Sequence, residues 1–343
     1  MDEYELESKE VQSAERFFFR QIHPKLSIGT ASDRYKGWLG QIYTEELYRD
    51  RISSRAKKVG KNGFREEVLP VDSVREYFLH FRVLEIDYTF YAPLLQNGAP
   101  TPCCETLRQY ARHLGPEDKV FLKAPQMFFA QKIRRKGGYV PNENYLASQP
   151  FLRQFYQPAA ELLGQNLKGI IFEQEYQRQS ERVPAEELAA RLDTFFNAIP
   201  PNIGRHVELR TESYSCKAVR DVLEKHEAGQ ILSHWTWLPG LKAQFSRGGN
   251  RFLTSGGEAV VRLMTPLGVR YEDAYARAFP FDRIVEEMVQ PEMVHQTARL
   301  MCEAIEQDVG LNIIINNRAA GNAPLLAQRI IAEFVRQKDR PGA

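Results

Sequence analysis

Apolar residues along this chain gather in eight short runs: LSIGT (26–30), RVLEIDY (82–88), KVFLKA (119–124), LKGIIFE (167–173), RHVELR (205–210), GQILSHW (229–235), EAVVRL (258–263) and LNIIINN (311–317). Each has the length of a strand, and most are near-continuous rather than alternating, as strands covered on both faces read. Between them the spacing turns helical. In FLRQFYQPAAELLG, Phe151, Phe155, Tyr156, Ala159, Leu162 and Leu163 share one helical face, and Pro158 inside that pattern predicts a kink. Pro184 opens a helix with the stripe Leu188, Leu192, Phe195 and Phe196, stopped by Pro200 and Pro201. Further helices are predicted from about Ile284 to Ile305 and from about Pro324 to Val335.

Strands alternating with helices predict a parallel sheet, and eight such repeats predict closure into a single (β/α)8 TIM barrel of class α/β. An open doubly wound sheet is the rival, but its GxGxxG phosphate fingerprint is missing. The barrel is expected over residues 26–337, after an N-terminal helical extension (1–25) that ends in Phe17, Phe18 and Phe19, and before a short tail (338–343). Two connections exceed ordinary length. Residues 44–70 are polar and basic, and residues 236–257 mix Gly, Arg and aromatic side chains.

Composition narrows the class without naming a function. The chain has 343 residues, of which 43% are hydrophobic and 26% charged, as in globular proteins. Lys and Arg (46) nearly balance Asp and Glu (44), which gives no global case for nucleic acid. No apolar stretch approaches the roughly 18 residues of a membrane span, so no membrane partner is expected. The acidic start MDEYELESKE has no signal core. The four cysteines, Cys103, Cys104, Cys216 and Cys302, form neither a CxxC pair nor a disulfide framework. Both features lead us to expect a cytoplasmic protein.

Candidate chemistry lies at the carboxyl ends of the apolar runs. These supply Glu85 and Asp87, Lys123, Glu173 and Glu175, Glu208 and Arg210, His234, Arg262, and finally Asn316 and Asn317. Strand side chains alternate, so Glu85 shares a face with Asp87 and Glu208 with Arg210. In a barrel the inner face at that end is the mouth where active sites sit. The bland alternative is a charged layer whose members neutralise one another, although buried ion pairs add little net stability.

In order along the chain, IGTASDRYKGWLGQIY (28–43), LEIDYTFYAP (84–93), FLKAP (121–125), VELRTESY (207–214), VVRL (260–263) and INNRAAGNA (315–323) resemble the YecE-like proteins, domain-of-unknown-function family 72. The resemblance spans nearly the whole chain. It implies a TIM barrel without an assigned activity, and rim residues Glu85, Thr89, Tyr91, Lys123, Glu208, Arg210, Arg262, Asn316 and Asn317. This chain departs from the family pattern in several places: Asp33-Arg34 replaces the usual Gly-Trp, Asp87 replaces an amide, FEQEY adds Glu173 and Glu175, and TESY and RLMT lose two usual histidines. A divergent member is implied.

Three chemistries suit such a rim. The first is recognition of a phosphate- or sugar-bearing small molecule. Arg210, Arg262 and Lys123 would face the anion, the loop before the last helix would offer its amides, and Glu85, Lys123 and Glu208 would supply acid/base groups. Asp87, Tyr91, His234, Asn316, Asn317 and Trp38 would complete the ligand shell, Trp38 as a stacking wall or as packing. The second is nucleic-acid binding, through Arg49, Arg51, Arg55, Lys57, Lys58, Lys61 and Arg65 of the first insertion and Trp235, Trp237, Phe245, Arg247, Arg251 and Phe252 of the second. The third is glycoside hydrolysis by Glu85 and Glu208; a barrel without catalysis also fits. One strand-end histidine beside Lys123 and Arg262 makes a poor cation site, so neither metal nor cofactor is expected.

Overall fold

The computed structural model describes residues 9–135 and 138–339. Eight parallel strands form the barrel: β1 (Leu26–Ala31), β2 (Val83–Ile86), β3 (Lys119–Lys123), β4 (Leu167–Gln174), β5 (Gly204–Leu209), β6 (Gly229–Gln230 continued by Leu232–His234), β7 (Glu258–Leu263) and β8 (Gly310–Ile315). Neighbours in sequence are neighbours in space, and β8 returns to pair with β1. Closure at the last seam depends on β6. Its first half pairs with β5 and its second with β7, and the Ile231 amide between them donates to the Val207 carbonyl at 2.8 Å. The predicted barrel is therefore the observed architecture.

Alternation along the strands sets the interior. Ala31, Val83, Phe121, Ile171, Ile231, Val260 and Ile314 form one buried apolar layer inside the barrel, as the two-residue period requires. Gly29 belongs to the same inner face, where a Cβ would fall 1.8 Å from the Val83 carbonyl oxygen. A side chain there would push β1 and β2 apart.

Outside, the helical stripes predicted from spacing pack against the sheet. The helix Ala185–Asn197 buries Leu188, Leu192, Phe195 and Phe196, with Pro184 at its N-cap. The helix Pro291–Glu306 begins later than the spacing suggested, because Pro291 occupies its first turn and residues 286–288 form a separate 3-10 turn. The last helix, Ala323–Lys338, runs slightly beyond its predicted span at both ends. Around Pro158 no break occurs; the helical path widens to a π turn over Leu152–Tyr156 and continues to Leu163. Pro158 has no N–H for the carbonyl of Gln154, and that carbonyl instead accepts from the Leu94 amide at 3.0 Å.

The first insertion is structured. Ser53–Val59 and Asn62–Val68 form an antiparallel hairpin around Gly60-Lys61, Gly60 taking a φ of +60°. A smaller hairpin, Lys132–Arg135 with Gly138–Pro141, follows β3. The second insertion carries the helix Leu241–Arg247. Of the N-terminal extension, the helix Lys9–Glu15 is described; residues 1–8, and 340–343 of the expected tail, lie outside the described residues. No described helix is long and apolar enough to cross a membrane.

Candidate functional site

Two residues beyond the apolar layer, the same inner face turns polar. Val83 is followed by Glu85, Phe121 by Lys123, Ile171 by Glu173, Ile231 by Ser233 and Val260 by Arg262, with Glu208 level with Glu173. These side chains meet in one network. Arg262 lies fully buried at its centre, its Nε 2.9 Å from Glu85 Oε2 and its Nη2 2.6 Å from Glu85 Oε1. Its Nη1 donates to Glu208 Oε2. Glu208 also accepts from Arg210 Nε at 3.2 Å and Ser233 Oγ at 2.6 Å. Glu173 takes Lys123 Nζ at 2.6 Å and Arg210 Nη1 at 2.8 Å. Three carboxylates thus face three cations, and the floor of the mouth is neutral.

The partners of each carboxylate set its proton affinity. Burial raises Glu85 above the usual carboxylate range, and the Arg262 fork with more distant Lys123 only partly offsets it. Burial acts on Glu208 and Glu173 as well, but there the cations win. Arg210 and Arg262, helped by Ser233, hold Glu208 low, while Arg210, Lys123 and Arg262 bring Glu173 down to about 2. Lys123 Nζ further rests 4.0 Å from the centre of the Phe90 ring, and the Arg210 guanidinium lies 4.9 Å from that of Trp235.

Above this floor opens a cavity of about 1010 Å³. Glu85, Asp87, Lys123, Glu173, Arg210 and Arg262 reach it from the barrel, Tyr91 and Tyr271 from the rim, and Arg55, Lys57 and Glu66 from the hairpin. Asp87 opens the 3-10 turn Asp87–Phe90 and is half-buried, with Ser32 Oγ donating to its Oδ1 at 3.0 Å. Tyr91 is 75% exposed at the edge. Arg318, next to Asn317, lines the cavity with its guanidinium 4.5 Å from the Tyr271 ring centre. Among the described residues Arg318 has no carboxylate partner, and its Nε is buried without an acceptor.

Trp38, His234, Asn316 and Asn317, expected at the mouth, do not line this cavity, and neither do Glu208 of the floor network or Thr89 of the rim. Trp38 is fully buried, packed on Tyr35 at 4.9 Å and Tyr43 at 6.3 Å between ring centres, so it is packing rather than a stacking wall. His234 falls on the outer face because Ser233 occupies the inner one; its Nδ1 lies 2.9 Å from the Thr265 carbonyl, and burial lowers its pKa to about 4. Asn316 continues the inner face of β8 but spends its Oδ1 on the Arg318 amide at 3.0 Å. Asn317 Oδ1 accepts from Ala323 N at 2.8 Å. The amides expected to meet phosphate are consequently occupied: Ala323 N by Asn317, Leu325 N by the Asn322 side chain at 2.9 Å and Leu326 N by its carbonyl. Pro324 offers none. The two asparagines build the loop that carries Arg318.

Several of the insertion residues expected to meet nucleic acid are engaged within the protein. Arg49 pairs with Glu45, Arg51 with Asp72, and Arg55 and Lys57 with Glu66, whose Oε1 also accepts from Tyr275 Oη at 2.6 Å. Arg247 and Arg251 pair with Glu212 and Glu224. Phe245 and Phe252 are buried against each other, 4.9 Å between centres. Among the described residues no group of three or more His, Cys, Asp or Glu side chains is placed to hold a metal ion.

Sequence reasoning passed over Ser233 and Arg318 as site residues. Ser233 was available from the two-residue step beyond Ile231, and Arg318 from its place directly after the strand-end asparagines.

The model of the family described as protein of unknown function DUF72 matches residues 27–342. Two solved structures of DUF72 proteins are similar in fold. One, from Enterococcus faecalis, is 12% identical, with a TM-score of 0.52 over 90% of this chain and 95% of that one. The other, from Thermotoga maritima, is 15% identical, with a TM-score of 0.49 over 92% and 99%. No curated protein matches the chain.

Proposed function

The chain belongs to the DUF72 family, and on that premise we propose that its barrel mouth binds a small anionic ligand bearing a phosphate and a sugar-like ring. The observation that carries this reading is Arg318. It is a cavity-lining guanidinium with no carboxylate partner among the described residues, above a floor whose own charges cancel. A guanidinium fork suits phosphate, and the incoming anion would supply the missing counter-charge. Tyr91 and Trp235 offer faces to a ring at the same opening.

Acid/base chemistry, where this site performs it, falls to Asp87 and Lys123 rather than to Glu85 and Glu208. Asp87 is half-buried and accepts one described side-chain hydrogen bond, so an oxygen remains for a substrate hydroxyl. Glu85 and Glu208 are fully buried on one shared guanidinium. A glycosidase pair must flank the scissile bond with both carboxyls reachable, and this arrangement does not favour that reading.

Calorimetric titration with glucose 6-phosphate at low ionic strength tests the proposal. Wild type should bind, and Arg318→Met should weaken binding by roughly 10- to 100-fold, the worth of a charged hydrogen-bonded contact. Equal binding by both proteins, or no binding by wild type at about 10 mM, would sink it.

A further inference from the structure

A second cation in the wall of the mouth makes no ion pair among the described residues. Arg34 follows β1, lines the cavity beside Tyr88, Cys103, Thr106 and Tyr110, and is half-buried. Its backbone is fixed: the Arg34 carbonyl accepts from the Leu69 amide at 3.2 Å, and the Asp33 carbonyl just before it accepts from Tyr43 Oη and the Tyr35 amide, each at 2.9 Å. Its guanidinium makes no hydrogen bond or ion pair among the described residues. The adjacent Asp33 carboxylate feels the charge of Arg34 but forms no ion pair with it: Oδ1 is engaged by Tyr110 Oη at 2.6 Å and Oδ2 is buried without a donor. A half-buried guanidinium on a rigid backbone, open to a cavity, is arranged for an anion that the protein does not supply.

Arg34 and Arg318 line the cavity among different neighbours. Tyr35 and Tyr91 lie close to both Arg318 and Asp87, whereas Tyr88 lies close to both Arg34 and Asp87. Asp87, with Ser32 beside it, lines the same cavity as both cations. Resting on the reading of the mouth as an anion site at Arg318, we propose that Arg34 is a second anion subsite, and that the ligand class is a polyhydroxylated molecule with an acidic group at each end. One acid group would sit on Arg318, the other on Arg34, and the hydroxyls between them would donate to Asp87.

A matched pair of probes separates the two subsites. Glucose 6-phosphate carries one acidic end, and 6-phosphogluconate carries a carboxylate at the other end as well. By calorimetry, wild type should bind 6-phosphogluconate at least about tenfold tighter. Arg34→Met should erase that preference while glucose 6-phosphate binding persists, and Arg34→Lys should retain part of it. Thermal melts should show both variants folded, since the guanidinium makes no hydrogen bond or ion pair among the described residues; Arg34→Gln replaces Arg34→Met if the latter fails to fold. Equal wild-type affinity for the two probes, or a preference that survives Arg34→Met, overturns the Arg34 subsite and leaves Arg318 standing. Binding of neither probe overturns both.

Discussion

Replacing Arg262 with methionine removes the hub of the floor while keeping much of its volume. Three charge-assisted contacts go, two to Glu85 and one to Glu208, and both carboxylates remain fully buried. Glu208 keeps Arg210 and Ser233, but Glu85 has no other hydrogen-bonding side chain among the described residues. Breaking a buried pair from one side typically costs about 3–5 kcal/mol. For a chain of 343 residues, an unfolding entropy of about 0.7 kcal/mol/K turns that into a melting point lower by roughly 4–7 °C.

The sign of the pH dependence makes the test specific. Without Arg262, burial drives the folded pKa of Glu85 further above its unfolded value near 4.3. The folded state then binds more protons than the unfolded one, so stability falls as pH rises from the unfolded pKa through the folded one. Arg262→Met should therefore lose little at pH 5 and its full amount at pH 8. Adding Glu85→Gln should recover part of the loss at pH 8 by removing the stranded charge. Urea denaturation at both pH values reads all of this. A loss below about 1 kcal/mol at pH 8, or one that does not change with pH, would mean that the network is solvated and the reasoning wrong.

Other perturbations probe separate parts of the structure. Burial lifts the Asp33 carboxyl to about 6 against the opposing charge of Arg34, so its ionisation destabilises the fold as pH rises from about 4 to 6. Asp33→Asn should raise stability at pH 8 by up to about 3 kcal/mol and leave it unchanged at pH 4, as thermal melts across that range would report. Gly321 holds a φ of +99°, and a Cβ there would fall 2.4 Å from the Arg283 carbonyl oxygen; Gly321→Ala should destabilise by at least about 1 kcal/mol in urea. Tyr91→Ala, at a ring 75% exposed, should leave the melting point within about 1 °C yet weaken glucose 6-phosphate binding several-fold.

Strand positions were legible because parallel strands covered on both faces must be apolar over most of their length, and no other element in this chain shares that pattern. The inner face was legible in principle wherever a strand ran unbroken: the step from Val83 to Glu85, or Val260 to Arg262, is a count of two. Reading fails where the strand breaks or ends. In GQILSHW the pairing shifts from β5 to β7 at Ile231, and the count from that residue selects Ser233, whereas prominence in the sequence selected His234. At LNIIINN the same count keeps Asn316 inside and turns Asn317 outward to accept from the Ala323 amide at the start of the last helix. The hairpin at 53–68 could have been found from the Gly60-Lys61 turn between two polar, β-compatible runs, but its charges resembled a solvated loop. What no count reaches is whether a charge is spent. Arg262 and Arg318 are the same residue at the same end of adjacent strands, yet one is enclosed by Glu85 and Glu208 and the other, with no carboxylate partner among the described residues, lies over a tyrosine ring. Arg34 stands beside an aspartate in sequence and still forms no ion pair among the described residues, while Tyr110, from a helix packed across the wall, takes one oxygen of that carboxylate. Charge pairing is decided by which side chains converge in space, so the cations free to meet a ligand emerge only after every internal pair has been assigned.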